Sequence, residues 1–199
     1  MKIILDAMGG DNAPAEIIKG AAAAVASFWP EVEIIAVGDA EKIAACAKEN
    51  NLKLDHIEIV NTTEVIEMCD EPAKAVRTKK DSSMVVGLKL LAEGKGDAFV
   101  SAGSTGALHV GTSLIVRTVK GVKRPALATI IPGKTPFMLL DSGANVECRP
   151  SMLEAFGVMG SVYMEQVMGV KNPRVALVNN GAEESKGTPT YVEAHALLK

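Results

Sequence analysis

The sequence predicts an α/β protein built on a mostly parallel sheet that helices cover. Short apolar runs alternate with stretches of helical periodicity, as repeated strand–helix units require. The first run, residues 3–5, is apolar on both faces, which is typical of a strand buried inside a parallel sheet. The predicted strands are residues 3–5, 32–37, 57–60, 97–100, 126–131, 137–140 and 175–178. The predicted helices are residues 14–27, 41–48, 81–91, 104–116, 151–167 and 188–198.

The boundaries of these elements follow from capping and turn residues. Asn12 can cap the first helix and Pro14 suits its first turn, whereas Asp81 is placed to cap the third helix. A turn containing proline and glycine at residues 132–136 predicts a hairpin of the fifth and sixth strands. Residues 61–80 form a long polar connection, and loops of that length are usually functional or mobile.

One face of the predicted helix at residues 151–167 is rich in methionine and other apolar side chains. Such a stripe at helical spacing indicates protein core or a subunit interface rather than a cofactor site. The side chains on this face are Met152, Phe156, Met159, Tyr163 and Val167.

The composition narrows the class of protein. A chain of 199 residues with 48% hydrophobic content can bury a sizeable core, and we expect a single α/β region over residues 1–199. A formal net charge of -3 and an aromatic content of 4% argue against nucleic-acid binding, whether electrostatic or through stacked bases. The three cysteines form no CxxC pair, which indicates reduced thiols and a cytoplasmic protein.

The two ends of the chain and its apolar runs bear on targeting. The N-terminus enters the first strand directly, which leaves no room for a signal peptide. The longest apolar run, residues 21–29, is too short to span a bilayer. The last predicted helix still runs at Lys199 without a stop signal. We therefore expect this chain to be the N-terminal part of a longer one.

Four polar loops follow predicted strands, at residues 6–12, 101–106, 141–145 and 179–187. If those strands are parallel neighbours, their loops converge on one edge of the sheet, where open α/β sheets bind ligands. Glycines let a bound group approach the backbone, and hydroxyls with free N–H donors suit an anion. The spacing in the second loop matches neither a Walker A loop nor a GxGxxG fingerprint.

The first of these loops carries two aspartates, Asp6 and Asp11. An ordinary strand-to-helix turn explains them equally well, and carboxylates would repel a bound phosphate. They make sense at an anion site if they orient N–H or lysine donors, act as a base or hold a cation such as Mg²⁺.

Lysine and arginine side chains offer two candidate positive sites. Lys186 lies between Ser185 and Gly187 and can face a bound anion, although a solvated lysine paired with Glu183 or Glu184 is the commoner outcome. A basic cluster in the long polar connection is more often a solvated face, yet it can also receive an acidic partner. Its relevant members are Arg77, Lys79 and Lys80.

No side-chain constellation indicates a covalent nucleophile. The histidines His56, His109 and His195 form no triad, and no G-x-S-x-G elbow or cysteine–base pair is present. If acyl chemistry occurs, direct attack by a bound nucleophile is more plausible than a covalent enzyme intermediate.

Five motifs together resemble the bacterial phosphate acyltransferases of the PlsX family. They occur in the family's order and run from the first residues to near the end of the chain. The motifs are residues 6–14 (DAMGGDNAP), 75–84 (AVRTKKDSSM), 101–107 (SAGSTGA), 140–148 (LDSGANVEC) and 180–187 (NGAEESKG). One departure is Ser104, which stands where the family commonly has asparagine.

The resemblance implies an enzyme that transfers a fatty acyl group from an acyl carrier protein thioester to inorganic phosphate, giving acyl-phosphate for phospholipid synthesis. It implies a fold similar to isopropylmalate dehydrogenase and phosphate acetyltransferase, usually in a homodimer, with no dedicated cofactor. No residue is assigned to a metal. Family members normally continue past this chain's last residue, into a part that includes a hydrophobic helical tip linked to peripheral membrane association.

The resemblance also suggests roles for individual residues. Lys186 is the candidate catalytic residue and would neutralise charge on the phosphate or on the developing oxyanion. One of the basic residues at 77, 79 and 80 would meet the acidic carrier protein. The candidate phosphate-site residues, some of which would only order the loops, are Asp6, Gly9, Gly10, Asp11, Ser104, Thr105, Gly106, Asp141, Asn145 and Glu184.

The sequence leaves two other functions open. One is a non-catalytic, truncated module that binds phosphate or acyl carrier protein without turnover. The other is a nicotinamide-dependent decarboxylating dehydrogenase on the same fold, which is disfavoured because no dinucleotide or metal–hydroxyacid motif is recognisable.

Overall fold

A computed structural model describes all residues, Met1–Lys199. The chain forms two compact units, Met1–Arg117 and Thr118–Lys199. The strands of the first unit are β1 (Lys2–Asp6), β2 (Glu33–Gly38), β3 (Ile57–Asn61) and β4 (Ala98–Val100). Its helices are α1 (Ala15–Phe28), α2 (Ala40–Glu49), α3 (Pro72–Thr78), α4 (Ser83–Ala92) and α5 (Thr105–Gly111), and α5 continues into a π-helical turn at Thr112–Val116.

The four strands of the first unit form one parallel sheet in the order β3-β2-β1-β4. The chain leaves β1 toward β2 on one side and later returns to β4 on the other side. The carboxyl ends of β1 and β4 therefore flank the point where the strand order reverses, which is where open α/β sheets bind ligands. The predicted fold class, a mostly parallel sheet covered by helices, is confirmed.

Helices bury both faces of this sheet. On β2, Ile34 and Ala36 pack in a cluster with residues of α1 and α2, including Ile18 and Ile43. The alternate residues of β2 pack with Ile4 in a second cluster that partly buried residues of α4 complete. Because successive side chains of a strand point to opposite faces, an apolar run such as residues 33–38 requires this two-sided cover.

The long polar connection contains more structure than its composition suggests. Residues 72–78 form α3, whose first turn is capped by the Glu71 carboxylate, which accepts hydrogen bonds from Ala73 N at 3.0 Å and Lys74 N at 2.6 Å. The next helix is capped by Ser82 and not by Asp81, because Asp81 instead accepts hydrogen bonds from the amide and hydroxyl of Thr63. The long polar connection thus contains a helix that its composition did not predict, and the prediction of an Asp81 cap is wrong.

The second unit contains an antiparallel hairpin and two helices. Its elements are β5 (Thr129–Ile131), β6 (Phe137–Leu139), α6 (Pro150–Gln166) and α7 (Pro189–Leu198). The predicted strand at residues 175–178 is absent, since this segment pairs with no other strand and Val178 is 77% exposed. An apolar run becomes a strand only where a neighbouring backbone accepts and donates its hydrogen bonds.

The apolar stripe of α6 is only partly in the core. Phe156 is buried, as the prediction of core residues requires, whereas Tyr163 and Val167 are exposed. The other buried side chain of this helix is Met164, which lies outside the predicted stripe. Of all the helices, none combines the length and the apolar character that crossing a bilayer would need.

Candidate functional site

The loops after β1 and β4 meet through a buried carboxylate. Asp6 ends β1, is 1% exposed, and accepts a hydrogen bond at Oδ1 from Met8 N at 3.2 Å. Its Oδ2 accepts a hydrogen bond from Ser101 Oγ at 2.7 Å, and Ser101 Oγ in turn accepts one from Gly103 N at 3.1 Å. Because β1 and β4 are parallel neighbours, with Leu5 opposite Val100, these loops begin side by side.

Glycine is required where the two loops touch. A Cβ built on Gly9 would lie 2.5 Å from Asp6 Oδ2 and 2.9 Å from Gly103 N, both closer than real Cβ contacts. Gly10 has a φ of +111°, which side chains rarely adopt, and a Cβ there would meet Ala102 Cβ at 3.2 Å. The backbones of the two loops therefore approach as closely as they do only because Gly9 and Gly10 lack side chains.

The hydroxyl of Ser104 caps the helix that follows the second loop. Ser104 is 6% exposed, and its Oγ accepts a hydrogen bond from Ala107 N at 3.3 Å. Thr105 and Gly106, in the first turn of α5, are exposed. Gly106 faces α3, since a Cβ there would lie 2.9 Å from Pro72 Cγ.

Several backbone amides of these two loops have no hydrogen-bond acceptor in the protein. Among them are the N–H groups of Gly9, Gly10, Ser104, Thr105 and Gly106. Backbone donors are normally paired with protein or with solvent, and a concentration of free donors in adjacent loops suits an anion. The convergence predicted from sequence is thus confirmed for the loops at residues 6–12 and 101–106.

The two aspartates of the first loop differ in their contacts. Asp6 organises both loops, as described, whereas Asp11 is exposed and its side chain makes no hydrogen bond. No three His, Cys, Asp or Glu side chains are grouped so that they could hold a metal ion. The sequence leaves three roles open for these aspartates at an anion site: orienting N–H or lysine donors, acting as a base, or holding a cation. The contacts of Asp6 fit the first role, the orientation of N–H donors.

Asp141 organises the loop at residues 141–145 in the second unit. Its Oδ1 accepts hydrogen bonds from Leu127 N at 2.8 Å and Ala144 N at 3.2 Å, and its Oδ2 accepts one from Asn145 N at 2.6 Å. Partial burial favours the neutral acid, but the donors of Leu127, Asn145 and Ala144 outweigh it, so the pKa of Asp141 lies below its ordinary value. Asn145 Nδ2 bonds both Asp141 Oδ2 and Pro125 O, which ties the loop to the segment before β5.

The cysteine beside this loop is not activated. Burial raises the pKa of the Cys148 thiol, the Asp141 carboxylate raises that pKa further, and Arg124 opposes both effects. A thiol with a raised pKa is protonated at neutral pH and is a poor nucleophile. This agrees with the sequence, in which no cysteine has a partner base.

Lys186 lies in a loop that lines a cleft of about 250 Å³, and the residue itself is part of the lining. Asn179 Nδ2 donates to Lys186 O at 2.8 Å, and Gly181 leaves room for the lysine stem, since a Cβ there would lie 2.8 Å from Lys186 Cγ. The Lys186 side chain is exposed and makes no ion pair, which departs from the expected pairing with Glu183 or Glu184.

Glu184 pairs elsewhere. Its Oε1 bonds Lys199 Nζ and lies 3.7 Å from His195 Nε2, and the hydrogen bond from Lys199 lowers the pKa of Glu184. A phosphate-binding role for Glu184 stays a prediction, and its observed contacts are with Lys199 and His195 of its own unit.

The structure brings the predicted site residues together in three groups. One group, in the first unit, contains Asp6, Gly9, Gly10, Ser104, Thr105 and Gly106. In the second unit, Asp141 and Asn145 share one loop, and Glu184 and Lys186 share another. The meeting of these groups at one edge stays a prediction.

Sequence reasoning missed Ser101, which joins the first two loops. The signal that could have found it is a serine directly after β4, at the same level as the buried aspartate that ends β1.

A sequence model for the family described as "Fatty acid synthesis protein" matches residues 1–199. The chain belongs to the fatty acid synthesis protein family. Among its relatives are proteins named phosphate acyltransferase. The one from Clostridium acetobutylicum is 47% identical over 200 residues, covering 100% of this chain and 60% of the relative. The one from Bacillus licheniformis is 48% identical over 201 residues, covering 100% of this chain and 59% of the relative. The resemblance to the phosphate acyltransferases is therefore confirmed.

Solved structures of two other proteins share the fold. The EutD phosphotransacetylase from Staphylococcus aureus matches with a TM-score of 0.69 at 24% identity, covering 100% of this chain and 63% of that chain. A phosphotransacetylase from Streptococcus pyogenes matches with a TM-score of 0.68 at 18% identity, covering 100% of this chain and 64% of that chain. The predicted likeness to a phosphate acetyltransferase fold is thereby confirmed, and the chain spans about 60% of the length of its curated relatives.

Proposed function

We propose that this chain carries the phosphate site of an acyltransferase that moves a fatty acyl group from acyl carrier protein to inorganic phosphate. The observation that carries the proposal is the set of free amides at Gly9, Gly10 and residues 104–106, on two loops that a buried carboxylate joins. The relatives' name, phosphate acyltransferase, supports the same chemistry and favours it over a nicotinamide-dependent dehydrogenase.

The reaction needs a bound phosphate more than it needs a protein nucleophile. A phosphate oxygen attacks the thioester carbonyl carbon, a new C–O bond forms, and the C–S bond breaks as the carrier thiolate leaves with the bonding pair. A thiolate is a good leaving group, so holding phosphate in line and stabilising the oxyanion supply most of the acceleration. The raised pKa of Cys148 supports this direct route over a covalent intermediate on the enzyme.

Lys186 is the proposed source of positive charge. The free amides carry only partial charges, and the Lys186 ammonium is exposed and without an ion pair. In the transition state it would neutralise charge on the phosphate or on the thioester oxygen.

The acidic carrier protein would meet the basic cluster at the end of α3. Arg77 and Lys80 are exposed and make no ion pair, whereas Lys79 Nζ bonds Val65 O at 2.8 Å and the carboxylate of Asp70. The contacts of Lys79 therefore leave Arg77 and Lys80 as the candidates for this partner. A homodimer in the cytoplasm, with peripheral membrane contact by the longer protein, completes the proposal.

The decisive experiment follows phosphate-dependent release of free carrier thiol from acyl carrier protein thioester. Lys186→Ala should slow release by at least about tenfold, since one charge-assisted hydrogen bond is worth roughly 1.5–3 kcal/mol. Lys171→Ala is the matched control, because Lys171 is an exposed lysine of the same unit without an ion pair. Near-normal turnover in Lys186→Ala, with fold and phosphate affinity unchanged, would remove Lys186 from the mechanism.

The same assay separates the alternatives. Phosphate binding without thiol release would identify the non-catalytic module, and absorbance changes with added nicotinamide cofactor and a hydroxyacid would identify the dehydrogenase. Absence of phosphate binding by nuclear magnetic resonance or calorimetry would contradict the proposed site itself.

A further inference from the structure

We propose that Ser101 is a positioning residue of the phosphate site, and this inference rests on the proposed function. Ser101 makes the sole hydrogen bond between the loop after β1 and the loop after β4. The ladder between these strands ends at the pair Leu5 and Val100, so no backbone hydrogen bond holds the loops together beyond that point. Beyond the last pair of the ladder, the hydrogen bond from Ser101 to Asp6 is what connects the two loops.

The chemistry of the three groups fixes the direction of each hydrogen bond. The amide of Gly103 can only donate, and the oxygens of the Asp6 side chain accept. Ser101 therefore accepts from Gly103 N at 3.1 Å and turns its single proton to Asp6 Oδ2 at 2.7 Å. That proton is committed to Asp6 and is not available to a phosphate. Ser101 thus acts on the ligand through the loops that it holds.

The consequence is a set spacing between two groups of free amides. Gly9 and Gly10 belong to the loop after β1, and Ser104, Thr105 and Gly106 follow β4. The two loops are in close contact at Gly9, since the Asp6 carboxylate and the Gly103 amide both lie within 3 Å of where a Cβ of residue 9 would be. Removal of the hydroxyl leaves a buried carboxylate with one donor fewer, which such a group tolerates poorly. The two loops then separate, and one phosphate no longer reaches both groups of amides.

The test is a titration of the whole chain with inorganic phosphate, followed by calorimetry or phosphorus magnetic resonance. Three variants separate the effect of side-chain size from that of hydrogen bonding. Ser101→Thr keeps the hydroxyl, and Ser101→Cys keeps the side-chain volume with a weak donor. Ser101→Ala removes the hydroxyl and its volume. We expect Ser101→Thr to bind within about threefold of the wild type, and the alanine and cysteine variants to bind at least about tenfold more weakly.

Two controls separate positioning from general stability. Ser113→Ala removes a half-buried hydroxyl that bonds His109 O within the same unit, and it should leave phosphate affinity unchanged. In an Asp6→Asn background, Ser101→Ala should cost clearly less affinity than it does alone, because the two side chains act through one bond.

Each outcome decides the inference. If the wild type binds phosphate and the alanine and cysteine variants bind equally well, Ser101 has no positioning role while the proposed function stands. If the wild type itself binds no phosphate, the proposed function fails and the inference falls with it. If Ser101→Ala does not fold, the comparison of threonine with cysteine decides, because both fill the site; equal affinities in that pair overturn the inference. Rescue by threonine but not by cysteine, with melting temperatures unchanged, supports it.

Discussion

A methyl group added at Gly9 tests the packing on which the two loops depend. In Gly9→Ala the new Cβ would lie 2.5 Å from Asp6 Oδ2 and 2.9 Å from Gly103 N. Neither neighbour is the free end of a flexible side chain. Asp6 is 1% exposed and bonded to Ser101, and the Gly103 amide is backbone. The loops after β1 and β4 must therefore move apart to admit one carbon atom.

The size of the effect follows from the cost of overpacking. Inserting a methyl into a packed site costs about 1–3 kcal/mol. For a chain of this size, 1 kcal/mol shifts the melting temperature by roughly 2–4 °C, so Gly9→Ala should lower it by roughly 2–12 °C. Phosphate affinity should fall as well, because the proposed site needs the free amides of both loops to reach one phosphate.

The matched control is Gly20→Ala. Gly20 lies exposed inside α1, and a Cβ there meets nothing within 4 Å. Replacing an exposed helical glycine by alanine stabilises by about 0.5–1 kcal/mol, so this variant should melt roughly 1–4 °C higher than the wild type. Circular dichroism during heating measures both variants. A Gly9→Ala protein that melts at or above the wild-type temperature and binds phosphate normally would refute the reasoning.

Three further predictions concern the other loops. Because folding depresses the pKa of Asp141, its stabilising contribution is complete above about pH 4 and is lost as the pH falls through the depressed value. Asp141→Asn should therefore lower the free energy of unfolding in urea at neutral pH, by a difference that shrinks below about pH 4; a constant difference would contradict this. At neutral pH, iodoacetamide should modify the exposed Cys69 well before Cys148, whose thiol has a raised pKa, and mass spectrometry showing the reverse order would exclude that environment. Glu71→Ala removes the cap of α3 and should lower the free energy of unfolding by about 0.5–2 kcal/mol. Glu71→Gln keeps a side-chain acceptor and should lose only a small part of that free energy. Equal losses in both variants would show that the cap is not the cause.

Local patterns in the sequence predicted most of the elements. The strands at residues 3–5, 32–37 and 57–60 were predicted within about two residues, because short apolar runs between helical stretches have one common structural solution. The same reasoning predicted the hairpin at β5 and β6 and the terminal helix α7. It failed at residues 175–178, where the apolar run is present but no neighbouring backbone pairs with it.

Contacts of individual polar side chains were harder to predict. Asp81 and Ser82 are both good capping residues, and only the position of Thr63 decides that Asp81 bonds elsewhere. The sequence predicts that Lys79 belongs to an exposed basic cluster, yet in the fold its Nζ bonds Val65 O and the Asp70 carboxylate. Such choices depend on which segment, distant in sequence, happens to lie within hydrogen-bond reach.

The sequence alone determined the class of fold, the family motifs and the glycine-rich character of the loops, because each of these depends on residues that are close together in the chain. Only the tertiary structure decided that β4 lies beside β1, and therefore that Ser101 reaches Asp6 across 95 positions of the chain. Strand order is set by the packing of helices on both sheet faces, which is a property of the whole unit. The spacing of the free amides, on which phosphate binding is proposed to depend, follows from that order.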